Sequence, residues 1–196
     1  MTQLQTEAGV VRVPAGTWNI DPSHSSVGFE VRHMKIATVR GHFKEFEGTI
    51  DAGDDPGDCR VYGTVRVASI DTGNADRDAH LRSPDFFDAE RYPEMRFVST
   101  AIEHISGGSF RIVGELSIRD QIREIELDGV VNGADEDPWG NERVGVSVRG
   151  TINRTDFGLR WQQVLAGGGF LVGEEVDVLI DVSAVREEAR SSAAAG

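Results

Sequence analysis

Ser25-Ser26-Val27-Gly28-Phe29-Glu30-Val31-Arg32-His33 alternates apolar and polar residues with a period of two. Successive side chains of an extended strand point to opposite faces. Val27, Phe29, Val31 and His33 therefore share one face, and Ser26, Gly28, Glu30 and Arg32 the other. The same beat returns at Cys59, Val61, Gly63, Val65 and Val67, at Ile112, Gly114, Leu116 and Ile118, and at Ile125, Leu127, Gly129 and Val131. It recurs at Val144, Val146 and Val148 and at Val176, Val178, Ile180 and Val182. Turn-forming clusters separate these runs: 51–57, Ser106-Gly107-Gly108, Asn132-Gly133, 135–138 and Gly167-Gly168-Gly169. Parallel strands need helical crossovers, and only Asn74 to Glu90 reads as helix, with Ser83 placed to cap a second short turn opened by Pro84. The fold expected is all-β and antiparallel, with one short helical insertion.

Alternation alone fits a sandwich as well as a barrel. The glycines favour the barrel. They make up 23 of 196 residues, against only 6 prolines, where glycine is usually about 7%. Gly28, Gly63, Gly114, Gly129, Gly145 and Gly150 fall inside the strand runs, where they weaken a flat strand but permit the coiling that closure requires. A closed barrel of about eight strands has an interior wide enough for side chains or one ligand. A chain of this length reads as one domain able to bury a core without disulfide or metal staples. Residues 1–16 form an N-terminal extension, 17–185 the barrel domain, and 186–196 a flexible tail rich in Ala, Ser and charge.

Composition excludes several classes of function. Hydrophobic residues at 39% and charged residues at 27% fit neither a membrane-spanning nor a disordered chain. The net charge of −13, with no basic run, argues against nucleic acid and anionic lipid surfaces as partners. The single cysteine, Cys59, rules out an internal disulfide framework and a cysteine-built zinc site, and reads as a small buried hydrophobe. No run reaches the roughly 20 apolar residues of a membrane helix, and the N-terminus shows no signal-peptide pattern, so a cytoplasmic protein is expected.

Candidate chemistry is sparse. The histidines, His24, His33, His42, His80 and His104, form no short ligand pair. A metal site from His24, His33, Asp78 and His80 is conceivable in a barrel; the alternative is imidazoles bonded to backbone or carboxylate near loops. Asp21-Pro22-Ser23-His24-Ser25 invites a nucleophilic triad but lacks a Gly-x-Ser-x-Gly elbow and reads equally as a turn. Asp85-Phe86-Phe87-Asp88, close to His80-Leu81, is either core or a lid over an apolar ligand.

Trp18-Asn19-Ile20-Asp21-Pro22-Ser23-His24-Ser25, running into Val27–His33, resembles the opening of the YceI-like family of polyisoprenoid-binding proteins. Val39-Arg40-Gly41-His42-Phe43, Phe46-Glu47-Gly48 and Ser69-Ile70-Asp71-Thr72-Gly73 continue the resemblance. So do the segment from Arg77 to Asp88, Tyr92 to Thr100, Gly114 to Ile118, and Arg154-Thr155-Asp156-Phe157-Gly158. The similarity covers about residues 17 to 185. It implies a lipocalin-like barrel with a hydrophobic tunnel, a homodimer, and non-catalytic binding, storage or transport of a long-chain isoprenoid lipid or isoprenoid quinone. No cofactor is implied beyond that ligand. On this reading Phe29, Val31, Val65, Leu116 and Ile118 line the tunnel, Phe43, Phe46, Leu81, Phe86, Phe87 and Phe97 add wall or mouth, and His33 and His80 meet the head group. The rival is an enzyme acting on a tunnel-bound lipid through Asp78 and His80, with or without a metal. Two departures stand out: many relatives carry a secretory signal, and Arg119-Asp120-Gln121 replaces a turn that often holds glycine, a local change with no expected effect on the tunnel.

Overall fold

Each run of alternating residues becomes a strand in the structure, a computed structural model that describes residues 5–7 and 10–187. A small hairpin of β1 (Gln5–Glu7) and β2 (Val10–Arg12) precedes the barrel. Then come β3 (Gly16–Ile20), β4 (Ser26–His33), β5 (Ala37–Phe43), β6 (Phe46–Ala52), β7 (Arg60–Arg66) and β8 (Ile70–Asp71). Helix α1 (Ala75–Arg82) follows, and then β9 (Glu94–Ser106), β10 (Ser109–Ile118), β11 (Gln121–Glu136), β12 (Glu142–Asn153) and β13 (Val172–Arg186). The pairing order β12-β11-β10-β9-β7-β6-β3-β13 closes when β13 pairs back onto β12, giving an eight-stranded antiparallel barrel. No helix among the described residues is long and apolar enough to cross a membrane.

The first three staves are each broken once, and the breaks have local causes. Between β3 and β4, Pro22 opens a one-turn helix (Pro22–His24) whose cap is Asp21, its Oδ1 accepting from Ser23 N at 3.0 Å. Downstream of that break β4 replaces β3 beside β13, with Phe29 opposite Val178. The other two breaks are stitched to each other: Ser69 Oγ accepts from Glu45 N (3.0 Å) and donates to Arg66 O (2.7 Å). The buried polar serine thus satisfies backbone groups that the interrupted ladders leave open.

Glycine does more than permit coiling. A Cβ on Gly114 would lie 2.4 Å from the Phe97 ring, and one on Gly129 would lie 2.3 Å from that of Phe110. The rings lie flat across the adjacent strand where a side chain is missing, the pairing that rescues glycine in designed barrels. Two expectations need correction. The helix stops at Arg82, because Ser83 precedes proline and is extended (ψ 169°); residues 83–92 are turns. Asn132-Gly133 does not end a strand: β11 runs through it with a bulge between Val131 and Gly133, and Asn132 Nδ2 donates to Ser147 Oγ at 2.9 Å. β13 extends to Arg186, while the rest of the expected tail, 188–196, lies outside the described residues.

Packing divides in two. One cluster gathers on Trp18, Val144 and Ala184 at the end where β3 begins and β13 finishes; the other gathers on Val67, Phe86, Phe157 and Leu159 at the helix end.

Candidate functional site

Between the two clusters the inward faces of the strands enclose a cavity of about 350 Å³, within the roughly 300–1,000 Å³ range of small-molecule sites. Its wall is overwhelmingly aliphatic and aromatic, which follows from the period-two pattern: every strand turns its apolar face inward. Val27, Phe29 and Val31 enter from β4, Phe43 from β5, Phe46 from β6 and Val65 from β7. Phe97, Leu116 and Ile118 come from β9 and β10, and Val176, Val178 and Ile180 from β13.

The helix end is closed by a stack of aromatic rings. Leu81 on α1, with Phe86 and Phe87 beyond it, lines the cavity there. Phe87 meets Phe43 edge-on at 6.1 Å, and Phe43 tilts against Phe29 at 5.8 Å. Phe86 is buried in the cluster at the helix end and lines the cavity as well, so core and closure are one role.

The two histidines expected at the head group sit elsewhere. His33 is the last residue of β4, paired with Val172 and Ala37, and does not line the cavity. It continues the face of Phe29 and Val31, but the strand outruns the cavity. His80 lies outside the aromatic closure: Nε2 is 3.0 Å from Asp85 Oδ2, and the ring packs edge-on to Trp161 at 4.7 Å and Phe86 at 5.1 Å. It buttresses Phe86 from behind. Asp78 is buried, and its Oδ1 accepts from Thr72 N (2.9 Å) and Thr72 Oγ1 (2.5 Å), fastening α1 to the end of β8. No group of three or more His, Cys, Asp or Glu among the described residues is disposed to hold a metal ion.

Asp21, Ser23 and His24 form a capped turn, not a catalytic set. Asp21 Oδ2 accepts from Arg143 Nη1 at 2.8 Å and lies 2.7 Å from His24 Nδ1. The Arg143 guanidinium first, and then His24, hold the Asp21 carboxyl down to about 2. Arg143 also donates to Asp137, whose carboxyl is likewise held below its usual range, chiefly by that arginine. A carboxylate whose folded-state pKa is depressed stabilises the fold above its unfolded value, and that contribution is lost as pH falls from about 4 to about 2. Thermal melts of wild type and Asp21→Asn at pH 7, 3 and 2 check this: the variant is expected to be less stable at pH 7 and to lose less on acidification. Equal acid slopes would remove Asp21 from the account.

Sequence reading passed over other lining residues. Cys59 and Val61 line the cavity at the end away from the helix, as do Arg12 and Val13 from the N-terminal extension. Phe110 was detectable as an aromatic facing a glycine, Gly129, across a hairpin. Arg154, Phe157 and Leu159 line the helix end; the first two stood in a quoted family motif without a role.

A family described as a YceI-like domain matches residues 18–184. Protein YceI from Escherichia coli is 32% identical over 177 residues, 89% of each chain. Among solved structures, BcnA from Burkholderia cenocepacia superposes with a TM-score of 0.73 at 22% identity, covering 84% of this chain and 98% of the other. A polyisoprenoid binding domain from Saccharophagus degradans, implicated in plant cell wall breakdown, has a TM-score of 0.67 at 14% identity, covering 87% and 98%. A match that runs across the barrel, from Trp18 in β3 to Ala184 in β13, makes this chain a member of the YceI-like family.

Proposed function

We propose that the barrel is a non-catalytic carrier or store for a long-chain isoprenoid lipid, isoprenoid quinones included. The observation that carries the reading is a cavity inside the barrel walled almost wholly by aliphatic and aromatic side chains from every stave. The polyisoprenoid binding described for the structural neighbour from Saccharophagus degradans supports it. Affinity needs no special chemistry: at about 0.3 kcal/mol per heavy atom, a chain of about 30 buried carbons gives about 9 kcal/mol, a sub-micromolar dissociation constant. In this reading Phe29, Val31, Phe43, Phe46, Val65, Leu81, Phe86, Phe87, Phe97, Leu116 and Ile118 contact the chain, while His33, Asp78 and His80 have no part in binding or chemistry. The working form is a cytoplasmic homodimer, which light scattering and cell fractionation check.

Native mass spectrometry of freshly purified protein, with lipid extraction of the same sample, tests the reading. An isoprenoid or quinone near one per chain is the expected result. Protein that is empty and stays empty after incubation with polyprenyl lipids and isoprenoid quinones would overturn it.

A further inference from the structure

Arg154 is the unusual group in the cavity wall. It opens the short helical turn Arg154–Phe157 directly after β12, is only 6% exposed, and lines the cavity among Phe157, Leu159 and Val172. Its Nε donates to Gly173 O at 2.8 Å, Nη1 donates to Leu159 O, and Nη2 reaches Val172 O at 3.5 Å. These are backbone carbonyls, which take up N–H groups but bring no negative charge. Three other arginines tied into the fold have carboxylates: Arg143 has Asp21 and Asp137, Arg149 has Asp181, and Arg186 has Glu142. Arg119, held by Phe86 O and Gly158 O, resembles Arg154 in its partners but does not line the cavity. No carboxylate among the described residues lies within ion-pair distance of Arg154, and Glu174 acts on it only through space. Burial lowers its pKa, as expected of a desolvated cation.

Leaving a buried charge without a counter-charge is costly, and a guanidinium has five N–H donors, more than its carbonyl partners use. Two other arginines line the cavity, but Arg12, at the Cys59 end, is only half-buried and donates to Asp54 O, and Arg96 is exposed and paired with Glu94. Arg154 is the one of the three that is buried, and it gives the helix end of the cavity a charge of its own. Resting on the carrier reading above, we propose that Arg154 receives the polar end of the ligand: an oxygen acceptor, either a quinone carbonyl or a phosphate oxygen, on an apolar chain that runs from there along the barrel towards Cys59. The orientation follows from topology. Arg154 follows the end of β12 near the helix, whereas Cys59 precedes β7 at the opposite end. Between them the cavity wall follows β10 from Phe110 to Ile118, about 26 Å at ~3.3 Å per residue.

Cys59, the only cysteine and half-buried in the cavity wall, is a built-in reporter for the far end. Wild-type protein is saturated with isoprenoid quinones of increasing chain length, and alkylation of Cys59 by iodoacetamide is followed by mass spectrometry. Short-chain quinones are expected to bind, by tryptophan fluorescence, without slowing alkylation; chains long enough to cross the barrel are expected to slow it several-fold. Equal protection by the shortest and longest chains would put the head group at the Cys59 end and overturn the assignment. The second arm compares an isoprenoid quinone, an isoprenyl diphosphate and the headless hydrocarbon squalene on wild type and Arg154→Gln. The variant is expected to lose about ten- to a hundredfold in affinity for a headed ligand and to bind squalene as wild type does. Preference of wild type for either headed ligand over squalene supports the assignment, and the tighter of the two distinguishes phosphate from carbonyl. If the variant does not fold, the chain-length series on wild type decides alone. Wild type that binds squalene and headed ligands equally would overturn the Arg154 assignment only; wild type that binds none of them would overturn the carrier reading itself.

Discussion

Leu116→Trp is expected to weaken isoprenoid binding about a thousandfold while leaving a folded barrel. Leu116 lies in β10 opposite Phe97 and turns into the cavity. The indole exceeds the leucine side chain by about six heavy atoms, and displacing that many ligand carbons at ~0.8 kcal/mol each forfeits about 5 kcal/mol, more than three powers of ten in affinity. Titration of a fluorescent polyprenyl probe into wild type and variant measures the effect, with far-ultraviolet circular dichroism confirming the β signature of both. Unchanged affinity in a folded variant would take Leu116 off the ligand's path. Leu116 comes from mid-strand, where the neighbouring ladders to Phe97 and Arg123 fix its direction, so a rearrangement that turns the ring outward would require a register slip of the whole strand.

The second large effect is on stability. Trp18→Ala is expected to cost about 3–5 kcal/mol and to lower Tm by about 10 °C or more. Trp18 is fully buried, its Nε1 donates to Pro14 O at 2.8 Å, and the Arg186 guanidinium lies 5.6 Å from its ring. It stands in the seam between β3 and β13, which consists of three residue pairs: Ala184 with Ile20, Val185 with Asn19 and Arg186 with Trp18. So short a ladder gives this end of the seam few backbone bonds, and the indole packed on Val144, Ala184 and their neighbours supplies the apolar contact that holds β3 there. Trp18→Phe separates the contributions: it keeps most of the ring contact and loses the hydrogen bond, worth about 1 kcal/mol. Calorimetric melts of the three proteins measure both. A Tm within a few degrees of wild type for Trp18→Ala would show that the seam is held by other contacts.

The class of the fold, and which residues share a face of each strand, were legible in the sequence; which of the two faces turns inward was not. Period-two alternation and hairpin connection are local properties, legible residue by residue; in the closed barrel Phe29, Val31, Val65, Leu116 and Ile118 lie on the cavity side. The family motifs extended that reading across the chain, and the match over residues 18–184 agrees with it. What happens where strands end and where distant segments meet is set by the closed barrel. His33 continues the face of Phe29 and Val31 but passes beyond the cavity, because the length of an enclosed space is set by how all eight staves close, not by one strand's pattern. His80 adjoins Leu81 in sequence, yet helix geometry turns neighbours to different sides, so Leu81 lines the cavity and His80 backs Phe86 against Trp161. Asn132-Gly133 carries a turn signature, but β12 pairs on both sides of it and the ladder absorbs the extra residue as a bulge. The charge state of the cavity was the least legible feature. Whether Arg154 has a counter-charge depends on Leu159, Val172 and Gly173 folding back onto it as carbonyl donors of electron density. Those long-range placements are fixed by chain closure and packing, which no local pattern encodes.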